Sequence, residues 1–198
     1  TLNGEGLQHE DGHSHILANT IPNCVSYDPT FAHEVAVIMH DGLKRMVERQ
    51  ENVFYYITLL NENYAMPGLL PGTEEQIIKG MYLCKPGADG DKRVQLLGSG
   101  TILRESLEAQ TLLAADWGVQ ADVWSCPSFN ELAREGQDCE RWNLLHPLEA
   151  PRQSFVARQL GGHAGPVVAS TDYMKSYAEQ IRPFIPAGRG YKVLGTDG

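Results

Sequence analysis

At 198 residues, with a formal net charge of −9 and with 42% apolar and 21% charged residues, the chain is long enough for one large domain or a pair of small ones with real cores. The acidic balance argues against a nucleic-acid partner, which would need a basic face, and no apolar run approaches the roughly 20 residues that span a bilayer, so no membrane partner is expected. Four widely spaced cysteines, Cys24, Cys84, Cys126 and Cys139, form no Cys-x-x-Cys pair and read as reduced thiols of a cytoplasmic protein.

The chain begins in its densest chemistry. Gly4-Glu5-Gly6-Leu7-Gln8-His9-Glu10-Asp11-Gly12-His13-Ser14-His15 holds three of the seven histidines and three carboxylates. Its glycines make it a poor helix and a poor strand, so a loop is expected, able to turn several imidazoles toward one point. The residues alone allow three readings. One is a solvated polar connector. Another is a metal site built from His9, His13 and His15 with Glu10 or Asp11. The third is an active-site loop that positions histidines for hydrogen bonding and proton transfer. Gly12 interrupts the helical turn that a His-x-x-x-His ligand pair needs. Spacing does not choose further.

Ile21 to Tyr27 predicts a short strand, and Asp28-Pro29 a helix start with the aspartate as cap and the proline in the first turn. From Phe31 a helical stripe runs through Val35, Ile38, Met39, Leu43, Met46 and Val47, leaving His33 and His40 as surface residues. Val53 to Leu60 is nearly continuous in apolar, β-branched and aromatic residues, as in a parallel strand buried on both faces. Strand, helix, strand makes a βαβ unit. Asn61-Glu62-Asn63-Tyr64 follows the second strand, where α/β sheets collect ligand loops, though asparagines also favour plain turns.

Prolines and glycines punctuate residues 66 to 92, which read as an interdomain linker holding a short helix from Thr73 to Lys79 and a brief strand from Gly80 to Cys84. A second domain is expected from Arg93. Its strands are Arg93–Leu97, Asp122–Cys126, Pro166–Ser170 and Tyr191–Leu194. Its helices are Ile102–Ala115, with Leu103, Leu107, Leu112 and Leu113 apolar, then Phe129–Ala133, a piece around Glu140–Leu145, and Tyr173–Phe184 capped by Asp172. Gly98-Ser99-Gly100 lacks the remaining signature of a phosphate loop, so tight packing explains it better. Gly136-Gln137-Asp138-Cys139-Glu140-Arg141-Trp142-Asn143 offers a thiol among charges, and a structural acid–arginine network around a buried tryptophan is preferred to a catalytic cysteine.

Gly6 to His15 resembles the corresponding loop of the homodimeric decarboxylase component of bacterial pyruvate dehydrogenase complexes, a thiamine diphosphate-dependent family of the transketolase superfamily. Ile21-Pro22-Asn23-Cys24, Leu60-Asn61-Glu62-Asn63-Tyr64, Gly136 to Asn143, Ala169-Ser170-Thr171-Asp172-Tyr173-Met174 and Leu194-Gly195-Thr196-Asp197-Gly198 resemble that family in the same order, so the resemblance covers the whole chain. It implies an α/β fold in three parts: residues 1–65, the end of a pyrimidine-type thiamine diphosphate-binding domain; 66–92, a linker; and 93–198, a truncated transketolase C-terminal-like three-layer domain. Because subunits of the family are several times longer, the chain is expected to be a piece of one.

The activity implied is oxidative decarboxylation of pyruvate, with acetyl transfer to lipoyl groups. His9 and then His15 are implied as catalytic, His15 matching best the histidine of the transketolase loop, with His13, Glu10 and Asp11 as substrate-binding or loop-orienting residues. Thiamine diphosphate and Mg2+ are implied for the full-length enzyme. The diphosphate motif and the activating glutamate fall outside this chain, so no cofactor or metal ligand is assigned here, and the piece alone is expected to be inactive. Implied partners are a second subunit of a homodimer, the lipoyl domains and core of the dihydrolipoamide acetyltransferase component, and pyruvate, in the bacterial cytoplasm. Ala65 stands where the family commonly has a histidine. A dimerisation module and a transketolase-like enzyme acting on sugar phosphates are the alternatives.

Overall fold

The computed structural model describes residues 11–196, so His9, Glu10, Asp197 and Gly198 lie outside the described residues. The first unit opens with α1 (Ser14–Asn19). The loop expected through His15 therefore gives way at Ser14. Gly12 precedes the helix instead of interrupting it, and the Asp11 carboxylate accepts the first amides, from His13 at 3.2 Å and Ser14 at 2.9 Å.

Next come β1 (Cys24–Tyr27), α2 (Ala32–Leu43) continuing into a π-helical turn at Lys44–Glu48, and β2 (Phe54–Ile57). β1 and β2 pair in parallel, Cys24 opposite Phe54 through Tyr27 opposite Ile57. Asp28-Pro29 does not start the helix. The amides ahead of α2, from Thr30 and Phe31, are taken instead by the Glu34 carboxylate at 2.6 and 2.9 Å, and Asp28 turns inward. The apolar stripe is not a core stripe either. Ile38 is buried, but Met39, Leu43, Met46 and Val47 are exposed among the described residues. β2, read as buried on both faces, is half-exposed, and among the described residues β1 is its one sheet neighbour.

Residues 66–92 contain α3 (Glu74–Lys79) and β3 (Tyr82–Lys85), and β3 belongs to the second sheet. That sheet is completed by β4 (Arg93–Gly98), β5 (Gln120–Ser125), β6 (Val167–Ser170) and β7 (Tyr191–Leu194), in the order β3-β5-β4-β6-β7. It has five strands where four were expected. All pairings are parallel except β3 with β5.

Alternation along the strands sends Val94, Leu96, Ala121 and Val123 toward Leu103 of α4 (Gly100–Trp117), with Phe31 of the first unit joining that cluster. Leu97, Trp124, Val167 and Ala169 face the other side, against α5 (Phe129–Leu145), α6 (Phe155–Gly161) and α7 (Lys175–Glu179). Helices on both faces make the three layers.

α5 joins the two pieces expected at Phe129–Ala133 and Glu140–Leu145. Gly136 stays inside it because the Phe184 ring lies 2.5 Å from where a Cβ would sit. α6 is not among the helices expected from the sequence. The helix expected over Tyr173–Phe184, with Asp172 as its cap, is shorter: Met174 is extended (ψ 145°), α7 follows it, and Pro183 confines the remainder to a 3-10 turn at Arg182–Phe184. Leu112 on α4 is exposed. Trp142 is half-buried, not buried, with the Arg152 guanidinium 3.3 Å from its ring centre. The thiol of Cys139 faces Glu135 at 3.5 Å, and the same carboxylate accepts from the Phe155 amide. His33 is half-buried, bonded to the Pro67 carbonyl and the Tyr82 hydroxyl.

Candidate functional site

The C-terminal ends of β1 and β2 run directly into Asp28 and Thr58, the edge at which parallel sheets gather chemistry. Thr58 Oγ1 donates to Asp28 Oδ1 at 2.7 Å. The second unit reaches the same carboxylate: Ser99 Oγ donates to Oδ2 at 2.9 Å, and the Gly100 amide donates to the Asp28 carbonyl at 3.0 Å. Gly100 has φ +48°, and a Cβ there would lie 2.4 Å from Asp28 Oδ2, so the carboxylate occupies the space a side chain would need. Burial, working against the Thr58 and Ser99 hydrogen bonds and reinforced by nearby Asp172, pushes the Asp28 carboxyl up to about 6. A cleft of about 10 Å³, room for about one water, leads to it past Thr58, Thr101 and Tyr173.

His15 closes the constellation. Its side chain is fully buried, with Nε2 3.0 Å from Thr58 Oγ1. The ring stacks on Tyr177 (5.0 Å) and meets Tyr173 (4.8 Å) and Tyr56 (5.3 Å) edge-on. Burial lowers its pKa to about 4 despite the nearby Asp11 charge, so it is a neutral imidazole at physiological pH. Thr58 has one hydroxyl proton and gives it to Asp28; Nε2 is then the donor to Thr58, and Nδ1 is left as a bare lone pair with no partner among the described residues. The backbone carbonyl of His15 accepts from Asn130 Nδ2 at 2.7 Å.

The predicted site residues are thus distributed unevenly. Asp11 caps α1 and lies near His15; partial burial raises its carboxyl, but the Ser14 hydroxyl and the Ser14 and His13 amides outweigh this and hold it below the ordinary value. His13 is exposed. His9 and Glu10 fall outside the described residues. Asp28, Thr58 and Tyr173 were missed, although their place just past strand ends, or in a motif already noted for Tyr173, was a usable signal. Glu34 was missed too. It is fully buried and accepts the hydroxyls of Tyr82 (2.8 Å) and Ser125 (2.5 Å) from the second unit.

Among the described residues no group of three or more His, Cys, Asp or Glu could hold a metal ion. The cleft carries the carboxylates of Asp28 and Asp172 and no cation, so its donor set does not fit a diphosphate. No described helix is long and apolar enough to cross a membrane.

Residues 1–67 match the family described as the pyruvate dehydrogenase E1 component middle domain, and residues 80–198 the transketolase-like C-terminal domain. The whole chain is 62% identical to a pyruvate dehydrogenase E1 component of Cupriavidus necator and 63% identical to those of Pseudomonas aeruginosa and Escherichia coli. It spans 22% of the length of each. Among solved structures it is similar to a transketolase variant from Pichia stipitis, with TM-score 0.57 and 15% identity over 96% of this chain and 23% of that one. A transketolase from Leishmania mexicana follows with TM-score 0.52 and 13% identity over 92% of this chain and 22% of that one. At such identities the structural likeness carries the architecture alone.

Proposed function

Because the chain belongs to the family of pyruvate dehydrogenase E1 components with a transketolase-like C-terminal domain, we propose that it forms the substrate-side wall of a thiamine diphosphate-dependent decarboxylase acting on pyruvate. The observation that carries this reading is identity above 60% to three such components along the entire 198 residues, the histidine-rich loop included. Its acetyl acceptor is a lipoyl group of the acetyltransferase component, and a second subunit completes the site, in a bacterial cytoplasm. The division proposed is 1–65, 66–92 and 93–198, with β3 of the middle segment pairing into the second sheet.

The cofactor would supply the electron sink for loss of carbon dioxide, and the residues that would hold its diphosphate and Mg2+ are expected in parts of the subunit outside this chain. What these residues contribute is orientation and proton donation. His9 donates a hydrogen bond toward the pyruvate carboxylate or the oxygen on which charge develops, where one preorganised donor contributes about 3 kcal/mol. Glu10 and Asp11 hold the loop, and His15, buried beside Thr58, fixes the helix α1 that follows it.

The test is pyruvate decarboxylation by the full-length subunit with thiamine diphosphate and Mg2+. His9→Ala is expected to lower kcat about 100-fold or more while cofactor affinity changes little. A wild-type subunit that turns over sugar phosphates and not pyruvate would refute the substrate; an unchanged kcat in the variant would remove His9 from the site.

A further inference from the structure

α1 is six residues long, too short to hold itself together in water, so its place is set by tertiary anchors. Two of these reach α5 and α7: Asn130 to the His15 carbonyl, and Asn19 to Gln180 at 2.6 Å. The anchor toward the first sheet is the His15 ring, bonded to Thr58, which is bonded in turn to Asp28. The three groups form a directed chain, Nε2–H to Oγ1 and Oγ1–H to Oδ1, in which the hydroxyl accepts and donates through one atom. Tyr173 and Tyr177 close around the ring and keep it from turning away.

We propose that Thr58, backed by Asp28, is a positioning residue: its hydroxyl fixes the imidazole of His15 in the Nε2–H tautomer and thereby fixes α1, the first helix after the histidine-bearing loop. This rests on the reading of that loop as the substrate side of the site. Thr58 touches no substrate in this account. Losing the hydroxyl leaves two buried polar groups facing a methyl, and the ring regains the freedom to turn about its χ angles.

Thr58→Val keeps the shape of the side chain and removes the hydroxyl, while Thr58→Ser keeps the hydroxyl. In the full-length subunit T58V is expected to lower kcat for pyruvate roughly tenfold with KM changed less than about twofold, and T58S to stay within about threefold of wild type. Backbone amide exchange, read without cofactor, provides the second measurement: T58V speeds exchange across Ser14–Asn19 and leaves the five-stranded sheet unchanged, and T58S does neither. Equal impairment by both variants, a T58V enzyme as active as wild type, or faster exchange throughout the protein would overturn the proposal. Wild-type subunit without activity on pyruvate would instead refute the substrate assignment, and the exchange experiment would still report on Thr58.

Discussion

His15 and Asp28 are displaced in opposite directions by the same burial, and their contributions to stability have opposite slopes. The Asp28 carboxyl rises from 3.8 to about 6 in the folded chain, so the folded state holds that proton more tightly, and stability from this group falls as pH rises through that interval. The His15 imidazole drops from 6.5 to about 4, so the unfolded state binds the proton better, and stability is lost as pH falls through that interval. Each difference corresponds to about 3 kcal/mol at full expression, and between roughly pH 4 and 6 the two nearly offset each other. Asp28→Asn is therefore expected to uncover the histidine: denaturant unfolding should show a variant that weakens steadily below pH 6, where wild type is flat. A D28N curve parallel to wild type would mean that one of the two groups does not titrate where its burial places it. Little of this was legible in the residues. Asp-Pro spells a helix cap as readily as a buried acid, and the choice was made by Glu34, whose carboxylate claims the amides that Asp28 would have capped. His15 was singled out by resemblance, but nothing in its neighbours announced three tyrosines around it.

The elements that formed as expected are those whose signal is local. β4, β5 and β7 appear within a residue or two of their predicted bounds, because a run of apolar residues beside a turn fits few alternatives. Elements that depend on distant partners were read less well. The stripe on α2 has helical spacing whether or not anything covers it, and β3 looked like linker because its partner β5 lies some forty residues downstream. α5 illustrates how a terminus is made by tertiary structure as well as sequence. Ser128 Oγ accepts from the Glu131 amide at 3.0 Å and donates to the Ser26 carbonyl at 2.7 Å, so one hydroxyl caps the helix and joins it to β1. Ser128→Ala is expected to destabilise the protein by about 2 kcal/mol, above the usual value for a cap, because a buried carbonyl also loses its donor. The thermal midpoint of the variant against wild type checks this; a shift no larger than that of an exposed substitution such as Leu148→Ala would show that the bond to Ser26 contributes nothing.

At the scale of the whole molecule, the join between the two units sets a polar cluster beside the apolar contact made by Phe31. Glu34 accepts four hydrogen bonds, two from amides of its own unit and two from hydroxyls of the other, and every partner is a donor. A carboxylate accepts from all four at once; an amide could keep its oxygen on the two backbone amides only by turning its NH2 to the two hydroxyls, which would then accept instead of donate. Glu34→Ala should therefore cost at least about 3 kcal/mol and Glu34→Gln clearly less, read from unfolding of the subunit. A well-tolerated Glu34→Ala would show that these four donors have other acceptors. Tyr82 and Ser125 lie 48 and 91 positions from Glu34 in the chain, and neither pairing could be seen without the fold. The same arrangement constrains how the sequence can drift. A change at any one of positions 34, 82 and 125 strands the others, so across related proteins these three columns should change together or stay fixed, and a lineage that loses the glutamate should also have lost at least one hydroxyl.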